Sequence, residues 1–229
     1  MLGVGSSRSL RGLAVRLGLA RPAAGSLPAA AAPPAPDADT VVASKALQQF
    51  LTCLRASPAP ALLDVGPVVA SNVTFFGEQS ICKFYLESLL ADYERHVRGD
   101  RVEEFPAHLS KRLTLKRETV DGVLAWDLYD YLDRPSALAL ASTLVRLLRP
   151  GGVLLAYFGS ASDVGSEPTE FVIVDESHVR LRPHASTIRR QSCLQNRDIE
   201  RMFDGLQIAE SLLLRSGRRE MLFRKDVAS

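Results

Sequence analysis

Two acids and a glycine follow short apolar runs in the first half of the chain, at a spacing that suits nucleoside binding. Asp64 and Gly66 close the run Ala-Leu-Leu-Asp-Val-Gly at residues 61–66, and Glu87 closes a second run 21 positions after Gly66. In an open parallel sheet, a glycine after the first strand lets the backbone turn beside a ligand, and an acid after the second accepts hydrogen bonds from ribose hydroxyls. The spacing therefore predicts an adenosine site.

Two further acids, Asp127 and Asp130, follow another apolar run that ends at Trp126, so they are predicted to lie at the same edge of the sheet. Either carboxylate could act as a general base where the substrate must lose a proton. Structural roles compete with these functions. Asp64 could order its own loop, Glu87 could be the N-terminal acid of a helix, and Trp126 could pack in the core.

Other polar clusters fit no catalytic motif, because the chain has no GxSxG, P-loop lysine or HExxH sequence. His178, His184 and Cys193 share one segment, but their spacing matches no closed zinc pattern, so no metal site is predicted. The same segment is basic, and it would either be solvated or cover the active site and meet an anionic substrate. Its arginines are Arg180, Arg182, Arg189 and Arg190.

Helical and extended patterns alternate along the chain, which predicts a mostly parallel sheet with both faces covered by helices. The predicted helices are 41–55 (capped by Asp39 or Thr40), 89–96, 106–112, 135–148 and 196–203. The predicted strands are 61–65, 81–86, 113–115, 120–126, 153–158 and a terminal hairpin of 206–214 and 220–223. Residues 159–195 are predicted to be an irregular insertion with one apolar run at 171–174.

The first 38 residues differ in composition from the rest and are rich in Ala, Gly, Pro, Ser and Arg. They lack the large apolar residues that would offset the entropy of ordering, so we expect a disordered tail followed by one domain at 39–229. The tail has spaced arginines and no acid before Asp37, which also suits an organellar transit peptide. A cytoplasmic protein is the prediction, and an organellar one the alternative.

Charge and cysteine content exclude several classes of function. Residues 1–39 carry four arginines against two aspartates, so they account for the whole net charge of +2 and leave residues 40–229 neutral. A neutral domain exerts no long-range attraction on nucleic acid or acidic membranes. No apolar run approaches the roughly 18–20 residues needed to span a bilayer. Three cysteines without a CxxC pair fit a reducing compartment.

Taken in order, these motifs resemble those of the class I S-adenosylmethionine-dependent methyltransferases, over residues 41–225. The most specific match is Leu-Leu-Arg-Pro-Gly-Gly-Val-Leu at 147–154, which resembles the turn from helix to fifth strand in that family. The other matches are 62–66, Glu87, 120–127 and 131–135. The resemblance implies an α/β, Rossmann-like, doubly wound and mostly parallel seven-stranded sheet that ends in an antiparallel hairpin.

The chain departs from the family pattern at two places. Gly66, Val68 and Ala70 stand where the family has three glycines, and the β-branched Val68 avoids positive φ. Either the loop takes another path, or the cofactor pocket is narrowed. The acid that often contacts adenine is also missing, because residues 111–114 read Lys-Arg-Leu-Thr.

The resemblance implies S-adenosylmethionine as cofactor. To compensate for the missing glycine, Ser71 and Asn72 could cap the next helix and offer donors to the cofactor carboxylate. The full set of implied cofactor residues is Asp64, Gly66, Ser71, Asn72, Glu87 and Asp127. The implied function is methyl transfer to a small molecule, and the alternative is a catalytically inactive binding or scaffold protein. A nicotinamide-dependent reductase is disfavoured by the lack of GxGxxG and by the terminal hairpin. The methyl acceptor and the oligomeric state are not predicted.

Overall fold

The computed structural model describes residues 39–79, 83–191 and 193–227. The predicted tail at 1–38 and the first two residues of the predicted second strand, 81 and 82, lie outside them. The helices are α1 (Lys45–Arg55), α2 (Ala70–Glu78), α3 (Leu89–Arg98), α4 (Phe105–Arg112), α5 (Arg134–Leu147) and α6 (Asn196–Met202). The strands are β1 (Thr40–Ala43), β2 (Ala61–Asp64), β3 (Lys83–Leu86), β4 (Val120–Trp126), β5 (Leu148–Phe158), β6 (Thr169–Asp175), β7 (His178–Pro183), β8 (Leu206–Leu213) and β9 (Arg219–Lys225).

The main sheet has the order β3-β2-β4-β5-β9-β8, and β9 runs in the opposite direction to the other five strands. β2 and β4 are buried along their whole length, as expected for central strands covered by helices on both faces. The α/β, Rossmann-like architecture with a terminal hairpin is confirmed. The strand number is not, because the described sheet has six strands where seven were expected.

The missing strand is the one predicted at 113–115. Leu113 instead follows α4 as its C-terminal cap residue, and its side chain is buried in the core. The next residues form a loop that leads into β4. Two leucines in three residues were too short a pattern to distinguish an edge strand from the end of a helix.

A second, smaller sheet has the order β1-β7-β6 and is antiparallel throughout. It corrects two predictions. Residues 40–43 are a strand rather than the start of α1, which is capped by Ser44, whose hydroxyl accepts from the Leu47 amide at 3.1 Å. The insertion at 159–195 is not irregular throughout, because β6 and β7 form a hairpin within it.

Two apolar layers enclose the main sheet. One layer contains side chains of α3, α4, α5 and α6, and the other contains side chains of α1, α2 and the small sheet. The carboxyl ends of β2, β3, β4 and β5 therefore emerge between the two layers, at the edge where the predicted site residues lie. Among the described residues, no helix is long and apolar enough to cross a membrane.

Candidate functional site

The first two parallel strands end side by side, as the spacing of Asp64 and Glu87 predicts. Asp64 pairs with Leu86 in the sheet register, and the amide of Glu87 donates to the carbonyl of Asp64 at 2.8 Å. The backbone thus places the acid and the glycine loop at the same crevice. This frame fits a nucleoside site of the kind that the sequence predicts.

The side chain of Trp126 covers Gly66 in this crevice. A Cβ atom added at Gly66 would overlap the indole Cδ1, and Trp126 Nε1 donates to Asp64 Oδ1 at 2.9 Å. The ring stacks at a centroid distance of 5.1 Å on Phe171 and 6.3 Å on Tyr157, and Trp126 is only 2% exposed. The space that a ligand would need beside Gly66 is therefore filled by the indole.

Trp126 adopts an unusual backbone conformation at the end of β4, with a φ of 49°. This left-handed conformation costs a bulky residue about 1–2 kcal/mol, so it persists only where other contacts hold it. Here the stacked rings and the hydrogen bond to Asp64 supply those contacts. The aromatic cover is thus maintained against local strain.

Asp64 orders its own loop, which is the structural role that competed with ligand binding. Its buried Oδ1 accepts from the amide of Gly66 at 2.9 Å as well as from Trp126. Burial raises the pKa of Asp64 to about 7, and the two donors partly oppose that rise. The carboxyl group therefore holds Gly66 and the indole together.

Glu87 forms an ion pair with Arg112 of α4. Arg112 Nη2 lies 2.8 Å from Glu87 Oε2, and its Nε donates to Asp92 Oδ2 at 3.2 Å. Arg112 belongs to the Lys-Arg-Leu-Thr stretch that lacks the family's adenine acid. A cation thus neutralises the carboxylate that was predicted to bind ribose hydroxyls.

The prediction that Ser71 and Asn72 cap α2 is wrong. The helix begins at Ala70 without a side-chain cap, and Ser71 is exposed. Asn72 is buried and bonds to the backbone of β6: its Nδ2 donates to Phe171 O and its Oδ1 accepts from Ile173 N, both at 2.8 Å. The amide side chain joins α2 to the small sheet, because it reproduces the bonding pattern of a neighbouring strand.

Val68 does not narrow the pocket. It is 57% exposed, and it is not among the residues with positive φ. Of the two alternatives that the sequence left open, the exposure of Val68 favours a loop after β2 that follows a different path from the family's loop.

The two candidate bases, Asp127 and Asp130, converge on the buried side chain of Arg190. Arg190 Nη2 lies 2.9 Å from Asp130 Oδ2 and 3.5 Å from Asp127 Oδ2, and its side chain is 0% exposed. Asp127 also accepts from the amide of Thr169 at 3.1 Å, and Asp130 from that of Gly159 at 2.7 Å. Both acids are therefore brought together, but in an internal ion-pair network.

Burial dominates the electrostatics of this network. It raises the pKa of Asp130 to about 7, and the nearby Arg190 opposes the rise. Burial likewise raises the pKa of Asp127, while Arg218 and Arg190 lower it. Burial therefore disfavours the charged form of both carboxyl groups, and the neighbouring arginines favour it.

The remaining arginines of the basic segment also contact acids. Arg180 and Arg182 lie 3.3 and 3.1 Å from Asp39, and Arg189 lies 2.7 Å from Glu167. Together with Arg190, they neutralise carboxylates of the fold, which does not support an anionic substrate. The described residues contain no group of three or more side chains placed to hold a metal ion.

Two cavities lie away from Gly66 and Glu87. One of about 270 Å³ lies beside α5 and α6, where Tyr129, Cys193 and Met202 contribute to its wall. Another of about 300 Å³ lies near Pro60, just before β2, so it is at the amino edge of the sheet. Neither cavity includes a residue predicted to bind the cofactor.

Trp126 packs in the core, as one of the sequence predictions has it, but its contact with Gly66 was not predicted. Sequence reasoning also missed the ion pairs of Arg112 and Arg190, and Arg190 was predicted only as part of a segment that is solvated or covers the active site. The only local signals are two glycines, since a Cβ atom at Gly66 would overlap Trp126 and one at Gly159 would overlap Arg190. No spacing rule connects a glycine to a side chain that arrives from elsewhere in the chain.

Neither a protein-family model nor a curated protein sequence matches this chain. Among solved structures, it is similar to an S-adenosylmethionine-dependent methyltransferase from Clostridium acetobutylicum, with 13% identity, 81% of this chain and 93% of that chain covered, and a TM-score of 0.52. A second such methyltransferase, from Mesorhizobium loti, has 12% identity, coverage of 79% and 96%, and a TM-score of 0.50.

A third similar structure is the 1,6-didemethyltoxoflavin-N1-methyltransferase of Burkholderia thailandensis with S-adenosylhomocysteine bound. It has 17% identity, coverage of 80% and 79%, and a TM-score of 0.45. The fold conclusion depends on the first two structures: their similarity shows that the chain has a class I S-adenosylmethionine-dependent methyltransferase-like fold, as its motifs indicate.

Proposed function

We propose that this protein binds S-adenosylmethionine at the carboxyl ends of β2 and β3 and transfers its methyl group to a small molecule, with Trp126 covering the cofactor side at rest. The observation that carries the proposal is the hydrogen bond from the Glu87 amide to the Asp64 carbonyl, which sets the acid beside the glycine loop. The cofactor, when bound, supplies an electrophilic methyl group.

The backbone fits this cofactor, whereas two side chains occupy its place. Trp126 must move away from Gly66 before the cofactor can approach the backbone there. Arg112 must also release Glu87 before that acid can accept hydrogen bonds from the ribose of the cofactor. Asp64 then keeps the loop in place through its bond to the Gly66 amide. Asp127 and Asp130 follow β4, the strand next to β2. We place the methyl acceptor near these two acids.

Moving the indole lowers the apparent affinity for the cofactor. Exposing a buried aromatic side chain costs about 3 kcal/mol, even though release of the left-handed φ returns part of the strain. If the open form is disfavoured by about 3 kcal/mol, apparent binding weakens by about 150-fold. We therefore expect weak cofactor binding by the native protein and stronger binding where the indole is absent.

Calorimetric titration with S-adenosylmethionine and S-adenosylhomocysteine tests this proposal. Trp126→Ala should bind at least about 10-fold more tightly than the native protein, and Trp126→Phe, which keeps an aromatic ring, should not. Val68→Gly should not gain affinity, because Val68 is already exposed. If neither the native protein nor folded Trp126→Ala binds at millimolar ligand, the proposal is wrong.

The native protein offers a second readout of the same event. Trp126 is the only tryptophan of the chain, so intrinsic fluorescence reports its environment alone. Ligand binding that displaces the buried indole should move its emission to longer wavelength. Binding without any change in emission would contradict the proposed movement.

A catalytically inactive binding or scaffold protein is the second candidate. It is favoured because polar groups of the predicted site already have partners within the protein. Asp64 accepts from Trp126, Asn72 bonds to the backbone of β6, and Glu87 forms an ion pair with Arg112. A protein without cofactor would keep these contacts permanently. The titration separates the two candidates, since this one predicts no binding by any of the variants.

We also propose a cytoplasmic protein with a small-molecule substrate and without a nucleic-acid partner. The support is the neutral charge of the domain and the absence of a CxxC pair among its cysteines. Fractionation of cells that express the full chain with a C-terminal tag tests the location. Recovery of the protein in an organelle, shortened at its N-terminus, would favour the transit-peptide alternative.

A further inference from the structure

Residues 184–191, which connect β7 toward α6 without helix or strand, place one charged side chain deep in the protein. We call this segment the strap. Arg190 is fixed by two backbone bonds, from its amide to Ser166 O at 3.1 Å and from the Gly165 amide to its carbonyl at 2.9 Å. Ile188 is the other buried residue of the strap. An irregular segment thus delivers a guanidinium group to the interior.

The guanidinium lies in a pocket made by three acids, one tyrosine and one glycine. The carboxylate of Asp163 is 3.2 Å from Arg190 Nη1, and those of Asp127 and Asp130 approach Nη2 as described above. The Cζ atom of Arg190 lies 5.2 Å from the ring centroid of Tyr131. The members of this guanidinium pocket are Asp127, Asp130, Tyr131, Gly159 and Asp163.

Gly159 leaves the space that the guanidinium group of Arg190 occupies. A Cβ atom at this position would overlap Arg190 Nη1, so any other residue would displace the guanidinium. Carboxylates around a planar cation, with an aromatic ring nearby, form the environment that a guanidinium group prefers. The pocket is therefore built for this chemical group.

Charge makes the pocket selective for a cation. Apart from Arg190, the nearest cation is the buried Arg218, whose Nε is 3.9 Å from Asp163 Oδ2. Without Arg190, the three acids would face that single cation in a desolvated site. Unpaired buried charge is costly, so these acids would take up either another cation or protons in its place.

Arg190 itself fits the pocket incompletely. Its Nε atom and the Oδ1 atom of Asp130 have no hydrogen-bond partner among the described residues, and its Nη1 atom forms an ion pair with Asp163 without hydrogen-bond geometry. Its Nη2 donates to Tyr131 Oη at 3.2 Å. Buried polar atoms without partners are uncommon in folded proteins, and they indicate a place where bonding is left open. A free guanidinium, which is not tethered to the strap, could turn to satisfy these acids.

We propose that Arg190 is an internal occupant of a ligand site, and that the ligand of the guanidinium pocket is a small molecule carrying a guanidinium group, which enters when the strap withdraws. The pocket lies at the carboxyl ends of β4 and β5, next to the proposed cofactor side. The identification of this ligand as the methyl acceptor rests on the proposed function. Binding of a guanidinium compound in the pocket does not depend on that function.

Calorimetry with butylguanidinium at constant ionic strength tests the pocket, in the absence of S-adenosylmethionine. Arg190→Ala should bind one equivalent at least about 10-fold more tightly than the native protein or the matched control Arg189→Ala, and the neutral butylurea should not bind. Equal affinity in Arg190→Ala and the native protein, or equal binding of butylurea, would overturn the proposal. Arg190→Met, which keeps an apolar stem, serves the same test if Arg190→Ala does not fold.

Hydrogen exchange in the native protein separates a ligand site from a purely structural arginine. Saturating butylguanidinium should speed exchange of the Arg190 and Gly165 amides, which bond the strap to its neighbours. A structural Arg190 would give no change in the native protein, and that result would overturn the proposal. Tight butylammonium binding in place of butylguanidinium would also contradict the assigned chemistry. Both experiments can be interpreted even if the protein does not bind S-adenosylmethionine, because neither requires the cofactor.

Discussion

Trp126 and Arg190 fill two neighbouring parts of the carboxyl edge of the sheet, one with an apolar ring and the other with a charge. Each side chain lies against a glycine that leaves room for it, Gly66 for the indole and Gly159 for the guanidinium. The indole is held mainly by stacking and burial, and the guanidinium by carboxylates. The two contacts therefore respond differently when they are broken.

When the indole of Trp126 moves away, it exposes an apolar surface, and the carboxyl group of Asp64 loses a hydrogen-bond donor. A charged occupant leaves several desolvated carboxylates when it departs, so it can be exchanged only for another cation or for protons. The first contact can open by thermal motion at moderate cost, whereas the second requires a replacement. The following experiments break or sharpen this difference.

The largest effect is expected for Arg190→Ala. At pH 8, the variant should lose about 5 kcal/mol of unfolding free energy, because breaking a buried ion pair leaves uncompensated charge. At pH 5 the loss should be smaller, since Asp130, with a pKa of about 7, is then protonated. Urea denaturation followed by circular dichroism measures both values.

The matched control for that variant is Arg182→Ala. Its exposed ion pair with Asp39 should contribute less than about 1 kcal/mol at either pH. Equal losses for Arg190→Ala at the two pH values would show that buried charge is not what holds the strap.

Trp126→Ala should cost about 4 kcal/mol, as truncations of buried tryptophan commonly do. Its loss should depend less on pH than that of Arg190→Ala, because only Asp64 loses a donor. The same denaturation series at pH 5 and pH 8 measures it. A pH dependence as large as that of Arg190→Ala would remove the distinction between the apolar and the charged contact.

Asp64→Asn sharpens the apolar side of the comparison. Burial raises the pKa of Asp64 from 3.8 to about 7, so the folded protein binds a proton more tightly than the unfolded chain. The stability from this group is full below about pH 4 and is lost as pH rises through about 7. The asparagine variant should therefore lose about 4 kcal/mol less than the native protein between pH 4 and pH 8. Parallel pH profiles of unfolding free energy for the two proteins would contradict this expectation.

Gly66→Ala is expected to give the smallest of these effects, a loss of about 2 kcal/mol from overpacking against the indole. The emission of Trp126 should move to longer wavelength as the ring shifts. Gly77→Ala is the control, because Gly77 lies in α2 with no atom within 4 Å of an added Cβ. That substitution should stabilise the helix by about 0.5–1 kcal/mol and leave the emission unchanged.

Local patterns predicted the central elements well. The buried runs at 61–64 and 120–126, the helix at 134–147 and the terminal hairpin all lie within a few residues of their expected positions. The pairing of Asp64 with the end of β3 was also predictable, because parallel strands end at the same edge. These features depend on short-range periodicity and on a general rule of sheet topology.

Long-range pairing explains the wrong predictions. Residues 40–43 form a strand only because β7, about 140 positions later, offers a partner. Asn72 does not cap α2, because its amide group bonds to the backbone of β6. Neither partner is visible in the local sequence around these residues.

The amino-acid sequence by itself thus predicted most strands and helices of the main sheet, the class of fold and the edge at which Asp64 and Glu87 lie, because apolar periodicity and chain order indicate them. Only the tertiary structure decided what occupies that edge. Trp126 reaches Gly66 through a left-handed turn, and Arg190 reaches Gly159 through a strap from far along the chain. Such contacts depend on how separate segments pack, and packing is set by the whole fold rather than by local residue spacing.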